Sequence, residues 1–463
     1  MGKLGYKGLL LLGGMMMLGG AAQAQYLRSS YFMEGASARL QLNPGLQPTR
    51  GYFNFPVIGS LNVGASSNVL GTNDIIDLLN SQDDLYSNDN LYSRLKETNR
   101  MNVNLNTDIL SFGWYQGKGF WSVNVGLRMD IGASIPKSMF EYLRDVNQDG
   151  FGIGPMNYQI HDQQLNINSY AEIGLGYSRR ITEKLTVGGR VKVLLGIGNA
   201  ELNIRQFDMD MNLPDNPYDA GAWRHGANYG GNVKVQADLT TTLKGGGLSF
   251  SRNAAGEQII DGFDFDGGNF GIAGKGFGID LGASYKLLDN LTLSAAVLDL
   301  GFLSWDKGAT TVALADGSEI INENNFEQYI GGDFMDLDMY NLKEGEAKSR
   351  KKSLSSTILI GGEYALLNNW LSVGALYTTR FVQPKAVSEL TFSATVRPKN
   401  WLNAAISYSP IQSAGKSIGL ALKLGPLFIG TDYMFFGSNT KTVNGFLGIS
   451  FPLGGKAKPF SEL

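Results

Sequence analysis

"GFGIDLGASYKLLDNLTLSAAVLDLGFLSW", Gly276 to Trp305, decides the fold. Its glycines invite a reading as a nucleotide loop that opens a helix, but its period excludes one. Phe277, Ile279, Leu281, Ala283 and Tyr285 stand at alternate positions, with Gly278, Asp280, Gly282, Ser284 and Lys286 between them. A period of two keeps apolar and polar faces apart on a strand, whereas a helix would mix them. After the turn "LLDN", Leu291, Leu293, Ala295 and Val297 resume the alternation. The phase then slips, so that Leu298, Leu300 and Phe302 become the apolar set. A β-bulge near Ala296–Leu298 accounts for the slip and is a candidate opening in a wall.

The unit recurs. "IGLGYSRRITEKLTVGGRV" (Ile173 to Val191) and "IGGEYALLNNWLSVGAL" (Ile360 to Leu376) repeat the plan of strand, Tyr, short polar turn and strand. A Tyr beside each turn suits the aromatic girdle of a membrane barrel. Counting outward predicts strands near 54–66, 99–112, 119–132, 163–179, 184–204, 271–286 and 291–305. The second half adds 354–366, 370–382, 387–397, 401–409, 417–424, 427–436 and 442–453. Fourteen is even, as a single-chain antiparallel barrel with both termini in the periplasm requires. Short turns fall on one side. Long connections at 67–98, 133–162, 205–270 and 306–353 fall on the other, extracellular one, the second with a short helix after Pro136 and the third with a projecting hairpin.

The N-terminus supplies the route to such a membrane. Lys3 and Lys7 precede "GLLLLGGMMMLGG" and an Ala22-x-Ala24 site, the pattern of a cleaved secretory signal peptide. The apolar core is shorter than the ~20 residues a spanning helix needs. The expected organisation is therefore a signal peptide over 1–24, a plug segment over 25–53, an outer-membrane barrel over 54–453 and a periplasmic tail over 454–463. The plug is expected because the stretch before the first strand is long and holds no alternating strand of its own.

Composition narrows the chemistry. The 463 residues include no Cys and only two His, so thiolate sites are excluded and a catalytic triad would have to use His161 or His225. Neither sits near a residue that fixes a nucleophile, and the expected class is not an enzyme. A formal charge of −3 offers no basic face for nucleic acid. "DVNQDG" sets Asp145, Asn147 and Asp149 at calcium-loop spacing, but the position for the closing Glu holds Met156. Calcium is the one cofactor candidate, and a polar turn is the simpler account. Opposite the apolar faces, charges of both signs point to the lumen: Asp108, Arg128, Asp130, Glu172, Arg190, Lys192, Asp280, Lys286, Glu363, Arg380, Glu389 and Arg397. Such a set makes either a salt-bridge lattice that stiffens the wall or a path for a substrate.

"LNPGLQPTRGYFNFPVIGSLNVGASSN" (Leu42 to Asn68) resembles the opening of FadL-like outer-membrane barrels, in which an Asn-Pro-Ala box precedes the first strand. Here the box reads Asn43, Pro44 and Gly45. "KGFGIDLGASYKLLDNLTLSAAVLDLGFLSW" (Lys275 to Trp305) resembles a Bacteroidota family of exported proteins with a domain of unknown function, and more distantly the PorV-type barrels of secretion. The resemblance implies a fourteen-stranded barrel with an N-terminal plug. From FadL-like barrels it implies passage of small hydrophobic molecules. From PorV-type barrels it implies a non-transporting subunit or docking platform of an outer-membrane assembly or secretion complex. The expected partners are accordingly outer-membrane lipid, hydrophobic small molecules, and other outer-membrane or secreted proteins.

Overall fold

The computed structural model describes residues 28–71, 74, 89–146, 154–225, 229–253, 256–330, 337–382, 386–399, 401–411, 416–432 and 441–456. The segment expected as a signal peptide lies outside these. The wall is a closed ring of fourteen antiparallel strands. β1 is split into Arg50–Asn54 and Leu61–Ser67. It is followed by β2 (Thr98–Gln116), β3 (Gly119–Pro136), β4 (Gly154–Arg180) and β5 (Leu185–Leu213). β6 (Gly274–Leu288), β7 (Leu291–Trp305), β8 (Thr357–Leu366), β9 (Leu371–Arg380) and β10 (Val387–Lys399) continue it. β11 (Leu402–Ile411), β12 (Ser417–Leu424), β13 (Leu427–Thr431) and β14 (Thr442–Lys456) complete it. β14 pairs with both halves of β1, with Tyr52 facing Pro452 and Leu61 facing Leu447, so the ring closes on itself. The wall begins at Arg50 and ends at Lys456, slightly wider than the alternation suggests.

The faces separate as the period requires. On β4, Ile173, Leu175 and Tyr177 are exposed while Glu172, Gly174 and Gly176 are buried. Outward Phe277 and Leu281 on β6 and Ile358 and Ile360 on β8 continue this apolar belt. Tyr177, Tyr285 and Tyr364 ring it near the short turns. No described helix is long and apolar enough to cross a membrane. The barrel spans with its strands.

Two features depart from the expected layout. β4 and β5 run for 27 and 29 residues, about 90 Å at ~3.3 Å per residue, far beyond a hydrocarbon core of ~30 Å. The excess continues upward as a head. There Gly230–Leu243 pairs with upper β5 on one side and with Thr310–Ile321 on the other. Much of the stretch assigned to loops at 205–270 and 306–353 is thus sheet. The expected hairpin is only partly formed, since Gly230–Leu243 meets Gly246–Arg252 at the single pair Leu243 and Gly246. The helix after Pro136 is present as Lys137–Val146, and its Met139, Tyr142 and Leu143 enter the head core with Phe207, Met211 and Tyr340. Burial raises the Tyr329 phenol above its ordinary value, and Glu319 beside it adds to the rise.

The N-terminal segment packs inside the barrel toward the end that carries the short turns. It runs through a 3-10 turn at Arg28–Ser30 and a short helix at Arg39–Leu42, and Tyr31, Met33 and Asn43 are fully buried.

Candidate functional site

The bulge in β7 sets the centre of the lumen. Ile279 pairs with Leu300 and Leu281 with Val297, so Asp280 alone opposes Leu298 and Asp299. Asp299 takes φ 59, which turns its side chain inward beside Asp280. On the β8 side the ladder stops where Leu298 faces Thr357 and resumes at Phe302 and Ser353, so 299–301 have no ladder pair there. The bulge re-aims a carboxylate and coincides with this break in the β7–β8 ladder.

Around it the charges form two groups. Arg190 Nη2 lies 2.5 Å from Asp280 Oδ2, and Lys192 Nζ lies 2.7 Å from Asp280 Oδ1 and also contacts Asp299. Arg128 Nη2 lies 2.6 Å from Glu172 Oε1 and 3.2 Å from Asp108 Oδ1. Arg380 pairs with Asp130 at 2.9 Å on the far wall. The remaining expected charges hold the plug: Arg397 contacts Glu363 and lies 3.1 Å from plug Glu34, and Glu389 contacts plug Arg28. Lys286 stands apart. It shares a face with Asp280 but lies at the periplasmic mouth, exposed and outside both groups. Strand alternation pointed to the right face without fixing depth along it.

The plug box is a fastening. Asn43 Nδ2 donates to the Tyr31 hydroxyl at 3.0 Å and to the carbonyls of Ala283 and Ala295, while its Oδ1 accepts the Gly45 N–H at 2.8 Å. A Cβ at Gly45 would lie 2.7 Å from the Cα of Ala283, which accounts for glycine at the third place of the box. The carbonyl of Pro44 would lie 2.2 Å from a Cβ at Gly188. Asp145 accepts a hydrogen bond from the Tyr158 hydroxyl at 2.7 Å, and Asn147 and Asp149 lie outside the described residues. His161 Nε2 lies 2.6 Å from Asp208 Oδ1 on the outer face of the head, and His225 ends the short helix Ala222–His225.

The sequence did not announce a seam in the wall. Ser67 faces Met101, and the Asp108 N–H donates to the Ser60 carbonyl at 3.1 Å, both in one register. Between these points no ladder pair joins 61–66 of β1 to 102–107 of β2. Below the seam, Phe55 to Ser60 leave the strand through a tight turn, in which the Ile58 N–H donates to the Pro56 carbonyl at 2.8 Å and Val57 takes φ 68. Pro56 inside the expected strand was the available signal, since proline has no N–H for a ladder. The plug touches both sides: Ser37 donates to Asn54, and Gln41 donates to Asp108.

Inside the wall at this height lies a cavity of about 390 Å³, lined in part by Asn102, Asn104, Asn166 and Asn168. Outside the wall, an apolar groove of about 730 Å³ includes Leu61 and Val63 of the seam strand with Leu420 and Ile429. The polar cup thus reaches the seam from β2 and the apolar groove reaches it from β1.

Residues 44–432 match the model of a family described as DUF5723, a family of unknown function. The chain belongs to DUF5723. No curated protein matches this DUF5723 chain. Among solved structures it is similar to the toluene transporter TbuX of Ralstonia pickettii, with 12% identity, 93% of this chain and 98% of that one covered, and a TM-score of 0.45. It is similar as well to the toluene transporter TodX of Pseudomonas putida, with 12% identity, coverage of 93% and 94%, and a TM-score of 0.38. A Pseudomonas aeruginosa FadL homologue follows with 9% identity, coverage of 93% and 96%, and a TM-score of 0.38.

Proposed function

We propose that this chain is a plugged outer-membrane barrel that passes small, mostly hydrophobic molecules laterally through the β1–β2 seam. One observation carries the reading: the stretch without a ladder between 61–66 and 102–107 has a lumen cavity on its β2 side and an apolar outer groove on its β1 side. A molecule that has entered the lumen from outside meets the plug below and the seam at its side. Apolar surface moving from the cup to the groove leaves water for lipid, the favourable direction. The solved structures named above include two toluene transporters, which makes toluene a reasonable first probe.

The chain has no native cysteine, so the seam can be stapled cleanly. V63C/L105C places thiols at matching positions of the common register. Oxidation is expected to cut toluene uptake into vesicles carrying the barrel, and reduction to restore it. Uptake that ignores the staple would sink the reading.

The head supports a second reading, a non-transporting subunit or docking platform of an outer-membrane assembly. Its own hydrophobic core makes it a folded unit above the membrane. Recovery of a stoichiometric protein partner from native membranes, with no uptake by the reconstituted barrel, would favour that reading.

A further inference from the structure

The cup behind the seam is not an apolar pocket, and its pattern is regular. Asn102 of β2 faces Gly132 of β3, which faces Asn166 of β4. One rung toward the periplasm, Asn104 faces Asp130, which faces Asn168. The rungs lie two residues apart, so four side-chain amides sit on one face at the corners of a grid about 10 Å across the strands by about 7 Å along them. Thr357, Thr378 and Ser355 add hydroxyls from the opposite wall. In sequence the grid is written as "NVN" at Asn102–Asn104 and "NIN" at Asn166–Asn168, alternating as an inward face must.

The charges around the cup are already matched. Asp130 pairs with Arg380 at 2.9 Å, Lys352 contacts Glu201, and Glu389 contacts Arg28 of the plug. An anionic or cationic ligand would have to break one of these pairs. The amides have the opposite character, since each both donates and accepts. The Oδ1 atom of Asn168 is buried and has no hydrogen-bond partner among the described residues.

We propose that the cup binds a neutral, polyhydroxylated small molecule, a carbohydrate or polyol, held by hydroxyls that bridge Asn102, Asn166 and Asn168. A hydroxyl donates and accepts at once, so neighbouring hydroxyls on a ring engage neighbouring amides without bringing charge. The volume of about 390 Å³ falls within the ~300–1,000 Å³ of small-molecule sites. The assignment stands on the cup alone and is independent of passage through the seam.

The test uses the full chain in lipid nanodiscs and saturation-transfer NMR with a panel of neutral hexoses, disaccharides and hexitols. At least one panel member is expected to bind above empty nanodiscs, and N166A/N168A is expected to weaken it at least ~10-fold while the barrel keeps its heat-modifiable mobility. Octanoate is expected not to displace it. N102A, on a different strand, carries the same test should the double variant fail to assemble. The oxidised V63C/L105C barrel is expected to bind the same sugar, which separates this proposal from lateral passage. No binding by any panel member, binding unchanged in both variants, or displacement by octanoate would overturn it.

Discussion

The backbone N–H of Arg28 donates to Oδ2 of Asp432 at 2.6 Å, joining the first turn of the plug to the residue that follows β13. The Ser29 N–H adds a bond of 2.9 Å to the other oxygen, and both partners are buried. D432A would leave two buried N–H groups without their acceptor and Arg28 without one of its two carboxylates, a local loss on the order of 3 kcal/mol. A single thiol at S29C reports this directly in a chain with no other cysteine. We expect aqueous maleimide to label S29C at least ~10-fold faster in the D432A background. Equal labelling rates would show that the turn is held by other contacts.

The lattice at mid-lumen gives a second prediction. Lys192 is 1% exposed and lies between the Asp280 and Asp299 carboxylates. K192M leaves Asp299 without its cation and Asp280 with Arg190 alone, which costs about 3–5 kcal/mol. The temperature at which the barrel unfolds on a gel should fall clearly. K192M/D299N removes one charge of each sign, keeps the Arg190–Asp280 pair, and should recover much of the loss. A double variant as weak as the single one would mean that packing at Lys192, not charge, is what matters.

The wall was legible because its rule is short-range. Alternation on 276–305 fixes which side chains face lipid, and short turns count the strands without further information. The lattice members Asp280, Arg190 and Lys192 follow from the same parity. Depth does not, which is why Lys286 shares their face but not their company. Asp299 was hidden by the bulge that brings it inward. The head was hidden because its strands carry polar residues on both sides of short apolar runs, and its core forms only when distant segments such as Met139, Phe207 and Tyr340 meet. The amide cup was hidden in plain alternation: attention to charges passed over Asn102, Asn104, Asn166 and Asn168.

Gly45 offers a steric test of the plug. An alanine there places its Cβ 2.7–2.9 Å from backbone atoms of Ala283, which cannot rotate away. G45A should lift the box from β6 at a cost of about 1–3 kcal/mol. Single-channel recordings should then show openings that the wild type lacks, and deletion of 26–50 should show them at larger conductance. A G45A barrel as silent as wild type would place the seal elsewhere in the plug.

Val57 is a β-branched residue at φ 68, centred in the Pro56–Ile58 turn that starts the seam. Such a conformation costs on the order of 1–3 kcal/mol in a residue with a branched Cβ. Glycine removes that strain but adds about 0.5–1 kcal/mol of chain entropy to be lost on folding. V57G is therefore expected to raise the urea midpoint by a margin worth about 1 kcal/mol, with the turn retained. Proline is confined to φ near −65° and cannot take this place, so V57P should lower the midpoint. The Thr107 hydroxyl donates to the Val57 carbonyl, so the turn also fixes one edge of β2 beneath the seam. Toluene uptake should survive V57G and be lost in V57P. A midpoint that falls in V57G would show that the turn is not strained at Val57, and the seam would then need another origin.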